Sequence, residues 1–172
     1  MHRRVRGPRS GGSAISSQFV PDVLPAGDLA QACHHLALDP VPRAAALARR
    51  FVRSHAPDLP DETAESLELM TSELVTNAVL HARTPLQVGV VVASRSMVVG
   101  VHDLDVVTPL QTPYADREGG WGLGLVDVLA HSWAVARHPG GGKTVWFRLL
   151  RARAHPVDSG AAARPDADRR DP

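Results

Sequence analysis

The chain has 172 residues, 44% of them hydrophobic, and a formal net charge of +1 from 19 basic and 18 acidic residues. This balance of charge and an aromatic content of 4% argue against direct nucleic-acid binding, which favours a basic face with interleaved aromatic side chains. No apolar run reaches the roughly 18 residues of a membrane helix, and residues 1–12 lack the apolar segment of a signal peptide. Cys33 is the only cysteine, which excludes an intrachain disulfide. We therefore expect a cytoplasmic protein that contacts neither membrane nor nucleic acid.

The two ends differ in composition from the rest of the chain. Both are poor in large apolar side chains and rich in Arg, together with Gly and Ser at the start and Ala, Asp and Pro at the end. Such segments bury too little surface to offset the entropy lost on ordering. We expect a flexible tail over residues 1–24, one folded domain over 25–151, and a disordered tail over 152–172.

The first half of the domain is predicted to be mainly helical. A short strand over residues 32–38 precedes a helix over 41–55, in which apolar side chains recur at helical spacing. Pro57 and Pro60 stop that helix. Asp61 or Thr63 can cap a second, longer helix that runs to about Ala82.

The second half of the domain is predicted to be mainly strands. Valine-rich runs over 86–93 and 97–103 form a hairpin, and a loop follows over 104–120. A helix over 122–131 and a second hairpin, made of residues 133–137 and 144–150, complete the domain. This order predicts an α/β fold of the α+β two-layer sandwich type, a mixed, largely antiparallel sheet with helices packed on one face.

The second predicted helix carries an unusual polar ridge. Glu73, Asn77 and His81 are four residues apart, so they share one side of a helix. The side-chain oxygen of an asparagine is a hard ligand that suits Mg²⁺, and a glutamate one turn away could accept a proton. A solvent-facing stripe on an amphipathic helix explains the same spacing.

A glycine-rich segment, Gly-Gly-Trp-Gly-Leu-Gly-Leu, begins at Gly119 and directly precedes the third predicted helix. Glycines let backbone N–H groups approach a phosphate, and a helix N-terminus favours the negative charge. Turn geometry alone is the other explanation. The segment is not a P-loop, because no Gly-Lys-Ser or Gly-Lys-Thr ends it.

Two further polar positions lie at strand ends. Asp103 ends an apolar strand and could accept a hydrogen bond from an adenine amino group, although an ordinary strand-end aspartate is common. Thr144, in the segment Gly142-Lys143-Thr144, could assist base recognition, whereas a plain hairpin turn would equally explain the glycines.

Together, these four segments resemble, in their order, the Bergerat-type ATPase family, which includes the catalytic domains of histidine kinases, type II topoisomerases and Hsp90-like chaperones. Within that family, Glu-Leu-Val-Thr-Asn-Ala-Val-Leu-His-Ala over residues 73–82 looks like the anti-sigma-factor serine/threonine kinases. The resemblance covers roughly residues 40–150.

The resemblance implies a role for each matching position. Asn77 would hold Mg²⁺ against the phosphates of ATP, and Glu73 would act as general base toward a partner's Ser or Thr hydroxyl. Asp103 would bind the adenine amino group, with Thr144 near the base, under a lid over residues 108–119 from which Arg117 could reach the phosphates. The positions expected at the phosphates are Gly120, Gly122, Gly124 and Leu125.

The implied function is that of an ATP-dependent kinase that binds a sigma factor and phosphorylates an antagonist protein, with ATP and Mg²⁺ as ligands and a homodimer as a common state. The alternative is a nucleotide-binding regulatory module that switches protein partners without phosphorylating them. The family usually has glycine two residues after its adenine-binding aspartate, where this chain has Asp105, and this departure favours the alternative. A structural domain with no ligand is a third hypothesis.

Overall fold

The structure is a computed structural model, and it describes residues 24–56, 58–106 and 121–151. The two predicted tails lie outside these residues, apart from residue 24, and so does the predicted lid over 108–119, with Arg117 and Gly120. Within the described part, no helix is both long and apolar enough to cross a membrane.

One five-stranded antiparallel sheet forms the first layer of the fold, in the spatial order β1-β2-β3-β5-β4. All four strand pairings are antiparallel, so the described sheet contains no parallel pair. The central strands are valine-rich, as buried strands are when β-branched side chains pack on the pleated surface. The strands are β1 (Ala30–Leu38), β2 (Leu86–Ala93), β3 (Ser96–Asp103), β4 (Ser132–Arg137) and β5 (Lys143–Leu150).

In the described residues the second layer consists of three helices: α1 (Ala44–Ser54), α2 (Asp61–Asn77) and α3 (Trp121–Leu129). A short π-helical turn (Ala78–Ala82) extends α2. Helix α2 begins directly after Pro60, with two acidic residues in its first turn that favour the positive end of the helix dipole. The predicted α+β two-layer class is confirmed.

The core lies between the helices and one face of the sheet. Alternate side chains of β3, namely Met97, Val99 and Val101, are at most 1% exposed and belong to the same buried cluster as Leu67 and Met70 of α2. Side chains alternate between the two faces of a strand. Asp103, two residues beyond Val101, therefore lies on the helix-facing side.

A buried carboxylate holds the turn between β2 and β3. Asp28 Oδ1 accepts hydrogen bonds from Ser94 Oγ at 2.9 Å and from the Arg95 N–H at 2.8 Å, and Oδ2 accepts one from Ser96 Oγ. Burial raises the pKa of Asp28, but the hydrogen bonds from Ser96, Arg95 and Ser94 outweigh it, so the pKa lies below its ordinary value. These hydrogen bonds thus join the turn of the β2–β3 hairpin to the segment before β1.

Candidate functional site

Asp103 ends β3 at the opposite end of this hairpin from Asp28. Its side chain is 2% exposed, and it lies directly across from Lys143, the first residue of β5. Residues directly opposite each other in an antiparallel pair place their side chains on the same face. Lys143 therefore accompanies Asp103 on the helix-facing side of the sheet.

Lys143 bridges two carboxylates at this point. Its Nζ donates to Asp103 Oδ1 at 3.0 Å and to Asp105 Oδ2 at 2.8 Å, and its own side chain is only 12% exposed. The Asp105 N–H also donates to Asp103 Oδ1, at 3.0 Å. A buried charge needs such partners, because its transfer out of water is costly without them.

The two oxygens of the Asp103 carboxylate differ. Both hydrogen bonds described for the side chain end on Oδ1, and within the described residues Oδ2 has no partner. A carboxylate oxygen is an acceptor only, so Oδ2 can take an N–H donor from a ligand. The open acceptor Oδ2 thus fits a ligand with an exocyclic amino group, such as adenine.

Gly142 lets β5 begin this close to β3. Its φ is +85°, and an added Cβ would collide with the Asp103 carbonyl oxygen and lie 3.1 Å from Leu104 Cα. A residue with a side chain would be strained by its backbone conformation and would push the strand ends apart. Gly142 therefore fixes the position from which Lys143 reaches the carboxylates.

Thr144 lies on the other face of the sheet. It is opposite His102 in the register and fully buried, and its Oγ1 lies 2.8 Å from His138 Nε2 and 3.3 Å from His102 Nδ1. Burial, and after it the neighbouring His138, lowers the pKa of His102. The register brings Lys143, and not Thr144, beside Asp103. Sequence reasoning overlooked Lys143, although the alternation of side chains along β5 would have pointed to it.

Glu73 and Asn77 lie one turn apart near the end of α2, and both are half-buried. None of the hydrogen bonds or ion pairs of the described residues involves either side chain. Half-buried side chains of this kind can hydrogen-bond to water or to a ligand. An amide oxygen on a fixed helix suits Mg²⁺, which takes few protein ligands and keeps oxygens from water and phosphate.

The predicted polar ridge ends at Asn77. The π turn that follows widens the helix, and His81 within it is exposed. The turn closes with Arg83 in the left-handed region at φ 53°, and Thr84 Oγ1 then accepts a hydrogen bond from the Leu104 N–H at 3.0 Å. This bond joins the end of the α2 segment to the residue that follows Asp103.

The glycine-rich segment is partly helical. Helix α3 is described from Trp121 onward, so Gly122 and Gly124 lie within this helix and not in a loop before it. Gly124 and Leu125 are half-buried, and α3 packs against α2. The first N–H groups of a helix have no partner within it and favour anions. The structure thus places the glycine-bearing helix next to the helix that carries Asn77.

Comparison with known proteins agrees with this architecture. The family model of the histidine kinase-like ATPase domain matches residues 38–149 of the chain. No curated protein matches the chain in sequence. Among the solved structures that match is that of the RsbU and RsbW domains of Rv1364c from Mycobacterium tuberculosis, with 21% identity and a TM-score of 0.52. That alignment covers 70% of this chain and 32% of the other, so the likeness is one of fold over less than a third of that protein. The recognition of a Bergerat-type fold is confirmed: the chain belongs to the family of histidine kinase-like ATPase domains.

Proposed function

We propose that the protein binds Mg·ATP between α2 and the end of β3 and uses it as a serine/threonine kinase of the anti-sigma type. In this function it binds a sigma factor and transfers the γ-phosphoryl group to a Ser or Thr of an antagonist protein. Membership of an ATPase-domain family supports nucleotide binding. The sequence of residues 73–82 supports the anti-sigma branch.

The observation that carries the proposal is the asymmetric carboxylate of Asp103. One oxygen is held by Lys143 and by the Asp105 N–H, while the other has no partner within the described residues. A buried carboxylate with an open acceptor is a recognition group for a donor, in this proposal the adenine amino group.

Asn77 and Glu73 are proposed for the phosphate end of the nucleotide. The Asn77 side-chain oxygen would hold Mg²⁺, and the backbone around Gly120, Gly122, Gly124 and Leu125 would contact the phosphates. Magnesium supplies charge neutralisation on the phosphate oxygens, which is the main requirement of phosphoryl transfer.

Glu73 is proposed as the general base. The acceptor hydroxyl oxygen forms a bond to the γ-phosphorus while the bond to the β–γ bridging oxygen breaks, and ADP leaves. The hydroxyl proton passes to the Glu73 carboxylate. A positioned base contributes roughly 10²- to 10⁴-fold to such a step.

The first experiment is a calorimetric titration of Mg·ATP into the wild type, Asn77→Ala and Thr76→Ala. Thr76 is the exposed neighbour of Asn77 on the same helix, so its truncation controls for effects on α2 itself. We expect binding by the wild type, loss of at least about tenfold in Asn77→Ala, and no change in Thr76→Ala. A folded wild type that does not bind Mg·ATP would overturn the proposal.

A second candidate function, the non-catalytic nucleotide-binding module, is favoured by Asp105 in the place of the family's usual glycine. Transfer of radiolabel from γ-labelled ATP to a co-encoded antagonist separates the two functions. The kinase requires transfer by the wild type and by Glu65→Ala, an exposed control on the same helix. It also requires loss of transfer, with ATP binding retained, in Glu73→Ala. Nucleotide binding without any transfer would instead establish the module.

A further inference from the structure

We propose that Lys143, together with Asp105, is a positioning residue that orients the Asp103 carboxylate and thereby sets the preference of the site for a base with a 6-amino group. This inference rests on the proposed binding of ATP at Asp103. It assigns a role to the one lysine of the chain and to the residue that departs from the family pattern.

Two hydrogen bonds to one oxygen fix the orientation of the Asp103 carboxylate. A carboxylate on a short side chain can rotate about its last bond, because that torsion is broad. Here Oδ1 is held by two donors that approach from different chain positions, the Lys143 ammonium at 3.0 Å and the Asp105 N–H at 3.0 Å. Two such bonds to one oxygen fix the plane of the group and so the direction of Oδ2.

Two carboxylates hold the Lys143 ammonium in place. An ammonium on a four-carbon stem has no preferred direction of its own. Asp105 Oδ2, at 2.8 Å, and Asp103 Oδ1 together define the position of Nζ, and the 12% exposure of the lysine side chain leaves little room for another arrangement. Asp105 is therefore an anchor for the lysine, which explains physically why a carboxylate can stand where the family has glycine.

The Lys143 ammonium also lies between two negative charges, those of Asp103 and Asp105. Without the ammonium, the buried Asp103 carboxylate and the half-buried Asp105 carboxylate would lose the cation that both contact, and like charges at such a distance repel. The Asp103 carboxylate would then rotate away from Asp105, and Oδ2 would no longer point in a fixed direction toward a donor. Recognition of an amino donor by Asp103 thus depends on Lys143 without direct contact between lysine and ligand.

The test compares two nucleotides, ATP and purine riboside triphosphate, which differ only in the 6-amino group. A hydrogen bond to a buried charge corresponds to roughly a 10- to 100-fold preference for ATP in the wild type. We expect Lys143→Met to reduce this preference to less than about threefold, and Lys143→Arg, which can still bridge two carboxylates, to retain most of it.

One further variant tests the anchor and another controls for charge. Asp105→Ala removes the acceptor that anchors Lys143 without changing the lysine itself, and we expect it to lower the preference for ATP. Arg148→Met removes a cation from β5, where Arg148 Nε donates to Ser132 Oγ on the opposite face of the sheet, and we expect the wild-type preference.

The outcomes are distinguishable. A preference that stays at the wild-type value in Lys143→Met, with both affinities lowered equally, would reduce Lys143 to a purely structural residue and overturn the inference. A wild type that binds both nucleotides equally well would also overturn it, because Asp103 would then not recognise the 6-amino group. A wild type that binds neither would instead contradict the proposed function itself. If Lys143→Met does not fold, a loss of preference in Asp105→Ala decides the question, and an unchanged preference there overturns the inference.

Discussion

Two buried aspartates lie at opposite ends of the β2–β3 hairpin, and they are satisfied in different ways. Asp28, at the turn, is 5% exposed and uses both oxygens: three hydrogen bonds arrive from Ser94, Arg95 and Ser96. Asp103, at the open end, is 2% exposed and uses one oxygen. Burial alone therefore does not distinguish a carboxylate with a structural role from one with an oxygen left open to a ligand.

The difference lies in the partners. Asp28 is fully occupied by neutral donors of a single tight turn, so it has nothing left to offer a ligand. Asp103 is held from one side by a cation and a backbone N–H, and its second oxygen has no partner among the described residues. The comparison predicts that substitutions at Asp28 affect folding and substitutions at Asp103 affect ligand binding.

The largest expected effect is at Asp28. Asp28→Ala removes the acceptor of three hydrogen bonds and leaves the buried Ser96 hydroxyl without its acceptor, which we expect to lower the free energy of unfolding by about 3 kcal/mol. Urea unfolding followed by circular dichroism measures this change. Asp58→Ala, at an 83% exposed aspartate, is the matched control and should stay within about 0.5 kcal/mol of the wild type. Equal losses in the two variants would contradict the structural role of Asp28.

The second-largest effect on stability is expected at Gly142, which lies beside the open end of the β2–β3 hairpin. Gly142→Ala places a Cβ against the Asp103 carbonyl oxygen at a positive φ, so we expect a loss of about 2 kcal/mol in the free energy of unfolding. Gly140→Ala, where nothing lies within 4 Å of the added Cβ, should change it little. Thermal unfolding of both variants provides the measurement, and a Gly142→Ala protein as stable as Gly140→Ala would disprove the close approach of β5 to β3.

A third test separates binding from folding at Asp103. Asp103→Asn keeps the shape and an acceptor for Lys143 but introduces an NH₂ group, which cannot accept from an adenine amino group. We expect the affinity for Mg·ATP to fall at least about tenfold, with a loss of stability well below that of Asp28→Ala. Calorimetry and urea unfolding on the same sample give both values. A large loss of stability with unchanged affinity would reverse the roles of the two aspartates.

The smallest effect is the dependence of stability on pH. Because the pKa of Asp28 is lower in the folded protein than in the unfolded chain, its contribution is complete above the ordinary value of 3.8 and is lost as the pH falls through the folded pKa. The free energy of unfolding should therefore fall less steeply between about pH 5 and pH 3 in Asp28→Asn than in the wild type. Identical slopes would mean that Asp28 does not titrate differently in the two states.

Much of the fold follows from local signals in the sequence. The switch from helical spacing to alternating valine-rich runs predicts α1, α2 and both hairpins to within a few residues. Helix α2 is the instructive exception, because its helical spacing continues through residues 78–82, where the backbone widens into a π turn. A change in hydrogen bonding from one residue to the next has no counterpart in the apolar pattern.

The parts of the candidate site that come from one segment could be predicted from the sequence. Contacts between residues of distant segments could not. Glu73 and Asn77 could be recognised by their spacing, whereas the pairing of Asp103 with Lys143 needs the register of β3 against β5. Asp28 was not singled out at all, since its three partners lie 66 to 68 residues further along the chain.

Lys143 also limits the reaction of side chains with amine-directed reagents to one position. As the only lysine, it carries the sole ε-amino group of the chain, so amine-directed labelling of side chains reports on a single position. Acylation would convert its ammonium into a neutral amide and leave Asp103 and Asp105 without their shared cation. Because this ammonium is only 12% exposed and is held by two carboxylates, mass spectrometry of the intact protein during a time course of acetylation would measure how often that arrangement opens.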